Sequence, residues 1–378
     1  MKLDPKALAR DYQLNLCIQC GTCTGGCPVK FRSPLNMRTL LRETIVSVDP
    51  SEILKRPELW ACTTCSTCTL RCPAGVKNAE MIVGIRSILA RQGEVPSTVR
   101  DALENTLLQG NPWGRFRDRR EDWAKDLGVK IVGAEKTETL LYVGCSPSYD
   151  PRIQNISRAL VKILQKAGID FAILGKKESC CGNEIRRMGE PTLFKKLVKD
   201  NSAQFLKSGA KKIIAISPHC FNAFKNEYTN LGIPVEHYTQ TLARLIDSGG
   251  LELSTPVDLK VTYQDPCFLG KQNKIFDEPR KILSSIPGMT FVDMDRSRER
   301  SLCCEGGGGR MWSEGGTVGT RNGEIRVKDA VSLGANVMAT ACPFCLLTLE
   351  DSAKTSGLSE QIVVKDITEL VAEAAGLI

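Results

Sequence analysis

A chain of 378 residues has room for two or three domains, and its 42% hydrophobic and 25% charged residues suit globular units with buried cores. Its 17 cysteines are an odd number, and at about 4–5% of the chain they fall below the roughly 8–10% of short disulfide scaffolds. The opening "MKLDPKALARDYQLN" is charged, and no apolar run approaches ~18 residues, which argues against a signal peptide and a membrane span. These features predict a cytoplasmic protein whose cysteines hold metal, with any membrane contact made through a partner subunit. The net charge of +8 is spread along the chain, apart from "GRFRDRRED" (114–122). Without interleaved aromatics or a DNA-binding motif, that cluster reads as a solvated basic face and excludes a nucleic-acid partner.

Eight cysteines precede residue 73, in two runs of one pattern, C-x2-C-x2-C-x3-C-P. They are "CIQCGTCTGGCP" (Cys17, Cys20, Cys23, Cys27) and "CTTCSTCTLRCP" (Cys62, Cys65, Cys68, Cys72). This is the spacing of bacterial [4Fe–4S] ferredoxin runs, in which three thiolates wrap one cube and the fourth reaches the other. Two cubane clusters are expected, on Cys17, Cys20, Cys23 and Cys72, and on Cys62, Cys65, Cys68 and Cys27. A zinc ribbon has no use for a third evenly spaced cysteine. Between the runs, "SPLNMRTLLRETI" and "PSEILKRPELWAC" predict helices capped at Ser33 and Ser51, and "NAEMIVGIRSILARQG" predicts a third helix after them. This part, residues 1–110, resembles the helical two-cluster domain of succinate dehydrogenase and heterodisulfide reductase iron–sulfur subunits. The stretch 111–137 reads as a connector.

From there the pattern becomes α/β. "TLLYVG" (139–144) leads to Cys145, and "FAIL" (171–174) leads to Cys180 and Cys181. "KKIIAIS" (211–217) leads to Cys220, with helical stretches between these runs. The alternation predicts a parallel sheet, with each cysteine just past a strand, at the edge where such sheets bind ligands. The pattern then repeats. "KVTYQDP" precedes Cys267, "MTFVDM" precedes Cys303 and Cys304, and "NVMATA" runs into Cys342 and Cys345. "SGAKKIIAISPHC" aligns with "LGANVMATACPFC", setting Gly209 opposite Gly334, Cys220 opposite Cys345, and Ser217 opposite Cys342. The expected units are 138–255 and 256–378.

A cysteine, a Cys-Cys pair and a Cys-x-x-Cys at this spacing, after two ferredoxin runs, resemble the D-type subunits of heterodisulfide reductases and their twin-cysteine (CCG) domains. The resemblance covers nearly the whole chain and implies two Rossmann-like α/β domains. It also implies a noncubane [4Fe–4S] cluster on Cys267, Cys303, Cys304, Cys342 and Cys345, with Cys303 and Cys304 as the reactive pair. Gly306, Gly307, Gly308 and Gly309 would let the backbone approach that cluster and donate N–H groups to sulfur. Arg310 beside them is a candidate anion contact. Two departures stand out. Glu305 occupies the place where the family has Gly, as Gly182 does in the first domain. Ser217 replaces one thiolate, leaving Cys145, Cys180, Cys181 and Cys220 with His219 adjacent. That first site could hold a second noncubane cluster, an ordinary [4Fe–4S] cube or Zn²⁺.

The resemblance implies an oxidoreductase subunit that passes electrons through two cubanes to a noncubane site, where a disulfide is reduced or formed. The alternative is an electron carrier with no chemistry of its own. Such a carrier would link a flavin or cytochrome partner to another redox enzyme, as in a tungsten-type benzoyl-CoA reductase complex or a lactate- or glycolate-oxidising system. No flavin fingerprint or haem motif is present, so flavin-containing or cytochrome b-type subunits are the expected partners. The Gly-rich stretch lacks the G-K-[ST] ending of a phosphate loop. His237, Trp113 and Trp312 read as packing residues.

Overall fold

A computed structural model describes residues 4–47, 51–133, 137–313 and 315–378. Pro50, which opens the second predicted helix, and residues 134–136 of the predicted connector lie outside the described residues. Before residue 110 the chain is helical. The helix Met37–Val46 is capped by Asn36, whose Oδ1 accepts the Thr39 N–H at 3.1 Å. Ser33 is not the cap. Pro34 follows it and holds its backbone away from the helical region, and Ser33 Oγ accepts from Leu35 N instead. The second predicted helix is split into one turn, Ser51–Leu54, and a 3-10 segment, Pro57–Ala61. Pro57 explains the break, because a proline inside a helix removes a donor and clashes with the preceding turn.

The third predicted helix forms as Asn78–Gln92 and ends at Gly93 in the left-handed conformation. It is the spine of this region, with Met81, Ile82, Ile85 and Leu89 buried. Arg86 is buried with them, and its guanidinium donates to Leu59 O, Cys62 O, Arg187 O and Gly308 O at 2.7–3.1 Å.

The rest is two parallel sheets. The first holds β1 (Lys130–Ile131), β2 (Thr139–Tyr142), β3 (Ala172–Ile173), β4 (Lys212–Ala215) and β5 (Val235–His237), in the order β1-β3-β2-β4-β5. The second holds β6 (Lys260–Gln264), β7 (Thr290–Phe291), β8 (Val337–Thr340) and β9 (Val363–Asp366), in the order β7-β6-β8-β9. Without β1 the two orders are the same, as a duplicated unit requires. Strand β1 comes from the predicted connector, so the first sheet draws on residues before 138.

The units pack reciprocally. Helix Pro151–Lys166, which follows β2, lies against Ile367–Ala374, the last helix of the second unit. Asp277–Ser284, in the matching early position, lies against Tyr238–Asp247, the last helix of the first. Arg152 pairs with Glu350 at 2.5 Å and Glu369 at 2.8 Å across this interface. Tyr238 Oη donates to Asp366 Oδ1 at 2.8 Å.

His237 is fully buried as the N-cap of Tyr238–Asp247. Its Nε2–H donates to Ile216 O at 3.1 Å and its Nδ1 accepts from Thr239. Burial pushes it down to about 3. The unfolded chain therefore binds one more proton than the folded one between about pH 6.5 and 3, and stability falls as pH falls through that window. This residue alone is expected to cost about 2 kcal/mol at pH 5 relative to pH 7. Denaturant midpoints at the two pH values check it, with His237→Asn, which keeps a capping oxygen but cannot titrate, showing the flatter dependence.

Candidate functional site

The two N-terminal runs fold alike. Each holds its cysteines around a short helix, Thr22–Gly25 or Thr67–Leu70, entered through left-handed residues at matching positions. These are Gln19 and Gly21 in the first run, and Thr64 and Ser66 in the second. A β-branched residue such as Thr64 at φ 49° is strained, and strain of this kind gathers where side chains must be aimed. The fourth cysteines cross over. Cys17, Cys20 and Cys23 share a hollow with Cys72, and Cys62, Cys65 and Cys68 share one with Cys27. Cys20 is exposed, whereas Cys62, Cys65 and Cys68 are buried. Burial, and then Cys62 and Cys65, push the Cys27 thiol above its ordinary range.

In the first sheet, Cys145, Cys180, Cys181 and Cys220 follow β2, β3 and β4 and meet in one hollow. Glu178 shapes the site, accepting the Val143 and Gly144 N–H groups at 3.0 and 2.8 Å and Arg120 Nη2 at 2.8 Å. Arg120 also points Nη2 at Cys145 Sγ, 3.5 Å away. This arginine belongs to the run read as a solvated basic face, yet it is 2% exposed. Ser217 lines the same hollow, and its Oγ caps the helix Pro218–Asn222 by accepting the His219 N–H at 3.3 Å. His219 does not offer a free nitrogen here. Its Nδ1 faces Glu184 Oε1 at 2.9 Å and Asn183 Nδ2 at 3.1 Å, and against its burial Cys342 of the other unit, together with Glu184, raises the ring to about 9. Trp113, Trp312 and Phe344 wall the hollow, the two tryptophan rings 5.5 Å apart.

In the second sheet, Cys267, Cys303, Cys304, Cys342 and Cys345 converge at the equivalent edge. Cys304 and Cys345 sulfurs are 3.3 Å apart. Cys303 pushes up the thiols of Cys267 and of Cys65 in the second N-terminal run. Between the two loops Lys271, 2% exposed, donates to Thr67 Oγ1 at 2.8 Å and Ser301 O at 2.5 Å.

Glu305 adopts φ 71°, the left-handed conformation that Gly182 adopts at φ 81°. A glutamate tolerates this place because its carboxylate pairs with buried Arg32 and accepts the Asn322 N–H at 3.3 Å. The expectation that four glycines donate to sulfur needs correction. Gly306 N–H does reach Cys304 Sγ at 3.4 Å, joined by Glu305 N–H on Cys303 at 3.4 Å. Gly309 N–H instead bonds Glu184 Oε2 at 2.8 Å. Gly308, at φ 69°, lies so close to Thr63 that a Cβ would stand 2.5 Å from its carbonyl carbon. This part of the loop is docked on the N-terminal domain. Arg310, the candidate anion contact, bonds Ser313 O and Thr317 Oγ1 at 2.9 Å. Together with Arg32 and Arg321 it lines a cavity of about 430 Å³ that opens beside Cys304.

Sulfur is the common donor of all four groups. Burial and neighbouring sulfurs push Cys27, Cys68 and Cys267 up, while Cys303 and Cys345 hold Cys304 down. So many buried thiols ionise together only when metal balances their charge, and an all-thiolate set suits iron–sulfur chemistry.

The cysteine-rich domain family CCG matches residues 139–225 and 261–350, and the 4Fe-4S dicluster domain matches 13–76. The chain is 36% identical to the D-type subunit of the dihydromethanophenazine:CoB–CoM heterodisulfide reductase of Methanosarcina barkeri, over 80% of this chain and 75% of that one. This chain belongs to the family of heterodisulfide reductase D-type subunits. It is also 38% identical to the probable iron-sulfur-binding oxidoreductase FadF of Bacillus subtilis, and 36% identical to the EtfAB:quinone oxidoreductase of Syntrophomonas wolfei. Those matches cover 79% and 76% of this chain but 44% and 42% of those relatives, so the chain spans less than half their length. Its domains are thus those of iron–sulfur proteins named as oxidoreductases. Among the described residues no helix is long and apolar enough to cross a membrane.

The crossed hollows generate a direct prediction. Cys72→Ser should alter the EPR signal that Cys20→Ser alters, and leave the one that Cys65→Ser alters. Paired losses within each run, Cys72 with Cys65, would refute the crossing.

Proposed function

We propose that this chain carries electrons between a redox partner and a thiol or disulfide substrate, as one subunit of a larger complex. In this reading Cys17, Cys20, Cys23 and Cys72 hold one cubane, and Cys27, Cys62, Cys65 and Cys68 hold the other. Cys267, Cys303, Cys304, Cys342 and Cys345 hold a noncubane cluster, and Cys145, Cys180, Cys181 and Cys220 hold a cluster of four thiolates. When bound, these clusters supply one-electron transfer, two of which a disulfide requires. The observation that carries the reading is the Lys271 bridge from Thr67 Oγ1 to Ser301 O, which joins the loop of the second N-terminal run to the loop of the twin-cysteine site.

The protein's own residues have definite tasks. Lys271 places a buried cation beside Cys65 and Cys303, and Arg120 does so at Cys145. Trp113, Trp312 and Phe344 keep water from the first twin-cysteine group. The cavity at Cys304 carries Arg32, Arg310 and Arg321 against Glu305 and Asp351, a balance that favours an anionic substituent on the substrate. At the other end, exposed Cys20 lies near the exposed apolar side chains Leu16 and Ile18, a surface suited to a flavin-containing or cytochrome b-type partner. Such a partner would also decide whether the complex stays in the cytoplasm or is held at a membrane.

A second reading, a carrier without disulfide chemistry, is favoured by Ser217, whose hydroxyl serves as a helix cap where the second unit has a thiol. Titration of the anaerobically purified, oxidised protein with coenzyme M and coenzyme B, followed by EPR, separates the two. A new signal broadened by ³³S-labelled thiol and lost in Cys304→Ser is expected. Clusters that reduce normally yet respond to no thiol would leave the carrier reading.

A further inference from the structure

His219 sits between Ser217 and Cys220, in the cysteine loop of the first unit, yet its surroundings belong to the second. Its ring, 6% exposed, lies 4.4 Å from the ring of Phe268, next to Cys267. It lies 4.8 Å from the ring of Phe344, between Cys342 and Cys345. A Cβ on Gly307 would come 3.2 Å from His219 Cε1. On one side of the ring, Nδ1 is held by Glu184 Oε1 at 2.9 Å, and Glu184 is itself fixed by the Gly309 N–H at 2.8 Å. That leaves Nε2, on the opposite side of the ring, as the nitrogen through which His219 can help hold the Cys342 thiol down.

We propose that His219 is a positioning residue for the second cysteine group: its Nε2–H donates to Cys342 and raises the reduction potential of the cluster bound there. A carboxylate on one nitrogen and a sulfur on the other are both acceptors, so the ring donates at each. A donor on a ligating thiolate favours the reduced, more negative state, which is how hydrogen bonds to sulfur tune such clusters. The same ring joins the two twin-cysteine groups: one residue beside it in sequence is Cys220, and across its bond is Cys342. Ser217 fits this arrangement, because its hydroxyl caps the turn that presents the imidazole to the second unit.

This rests on the proposal that the five cysteines hold a cluster, and the test separates the two. The full-length, cluster-loaded protein is titrated potentiometrically with EPR detection, and the second-group signal is identified as the one lost in Cys345→Ser. If Cys345→Ser removes no signal, the ligand proposal fails, whatever His219 does. With the signal assigned, His219→Phe keeps an aromatic ring between Phe268 and Phe344 but removes the donor. Its oxidised-to-reduced ratio at a fixed potential should rise by roughly threefold to tenfold, because only the part of the bond's worth that differs between the two redox states counts, or about 28–59 mV for one electron. His219→Gln, which can return an N–H near Nε2, should restore most of the shift, whereas His219→Asn, too short to reach Cys342, should not. That pair carries the test if the phenylalanine variant does not fold. An unchanged potential in His219→Phe or His219→Asn with iron content intact overturns the proposal. So does loss of iron from the first group, which would make His219 a ligand there.

Discussion

The relative placement of the cysteine groups depends on one buried guanidinium. The Arg86 donors are spent on four backbone carbonyls from three parts of the chain. Leu59 and Cys62 lie at the entry to the second N-terminal run, Arg187 in the first α/β unit, and Gly308 in the glycine loop of the second. Burial lowers Arg86 to about 10, against the opposing pull of Cys62 and Glu184, so it stays charged at neutral pH. A buried cation keeps its charge only where its donors are satisfied, and here the satisfying groups are the loops that carry sulfur.

Close backbone contact follows from that anchor. A Cβ on Gly189 would stand 2.4 Å from the Arg86 carbonyl carbon, and one on Gly308 would collide with Thr63. Both glycines are left-handed, so their conformation and their neighbours exclude a side chain for independent reasons. The N-terminal domain is thereby held against both units at once, and Lys271 ties the loop of Cys65 to that of Cys303. The reciprocal packing of the duplicated units completes the frame and brings His219 of one loop to Cys342 of the other. The four cysteine groups then follow one another from the exposed Cys20, through Cys65 and Cys303, to Cys342 and His219.

The cysteines were legible because metal ligation imposes spacing on sequence directly. The crossing of Cys27 and Cys72, the repeat, and the place of each cysteine beyond a strand could all be read from intervals of residues. Parallel pairing followed from the α/β alternation and the duplication. What could not be read was the set of charges that the cysteines gather around them. Arg120 lies in a run of arginines that looks solvated, and nothing local marks it as the one that turns inward to Glu178 and Cys145. Lys271 and Arg32 find their partners only through tertiary contact, at Ser301 and Glu305 respectively. Arg86 did leave a trace, as a lone charge within the apolar stretch "MIVGIRSILA". A buried cation pairs with whatever the fold brings to it, so its partners have no fixed interval. His219 misleads for a related reason, since its neighbours in sequence belong to one site and its ring to another.

The central claim is that the second N-terminal cysteine group abuts the twin-cysteine group of the second unit. The most direct test is EPR of the fully reduced wild-type protein at two microwave frequencies, watching for magnetic interaction between paramagnetic clusters. The signal sensitive to Cys65→Ser should be split or broadened by the one sensitive to Cys345→Ser, and the interaction should disappear when either is lost. Independent, unbroadened signals from two fully loaded and fully reduced groups would contradict it.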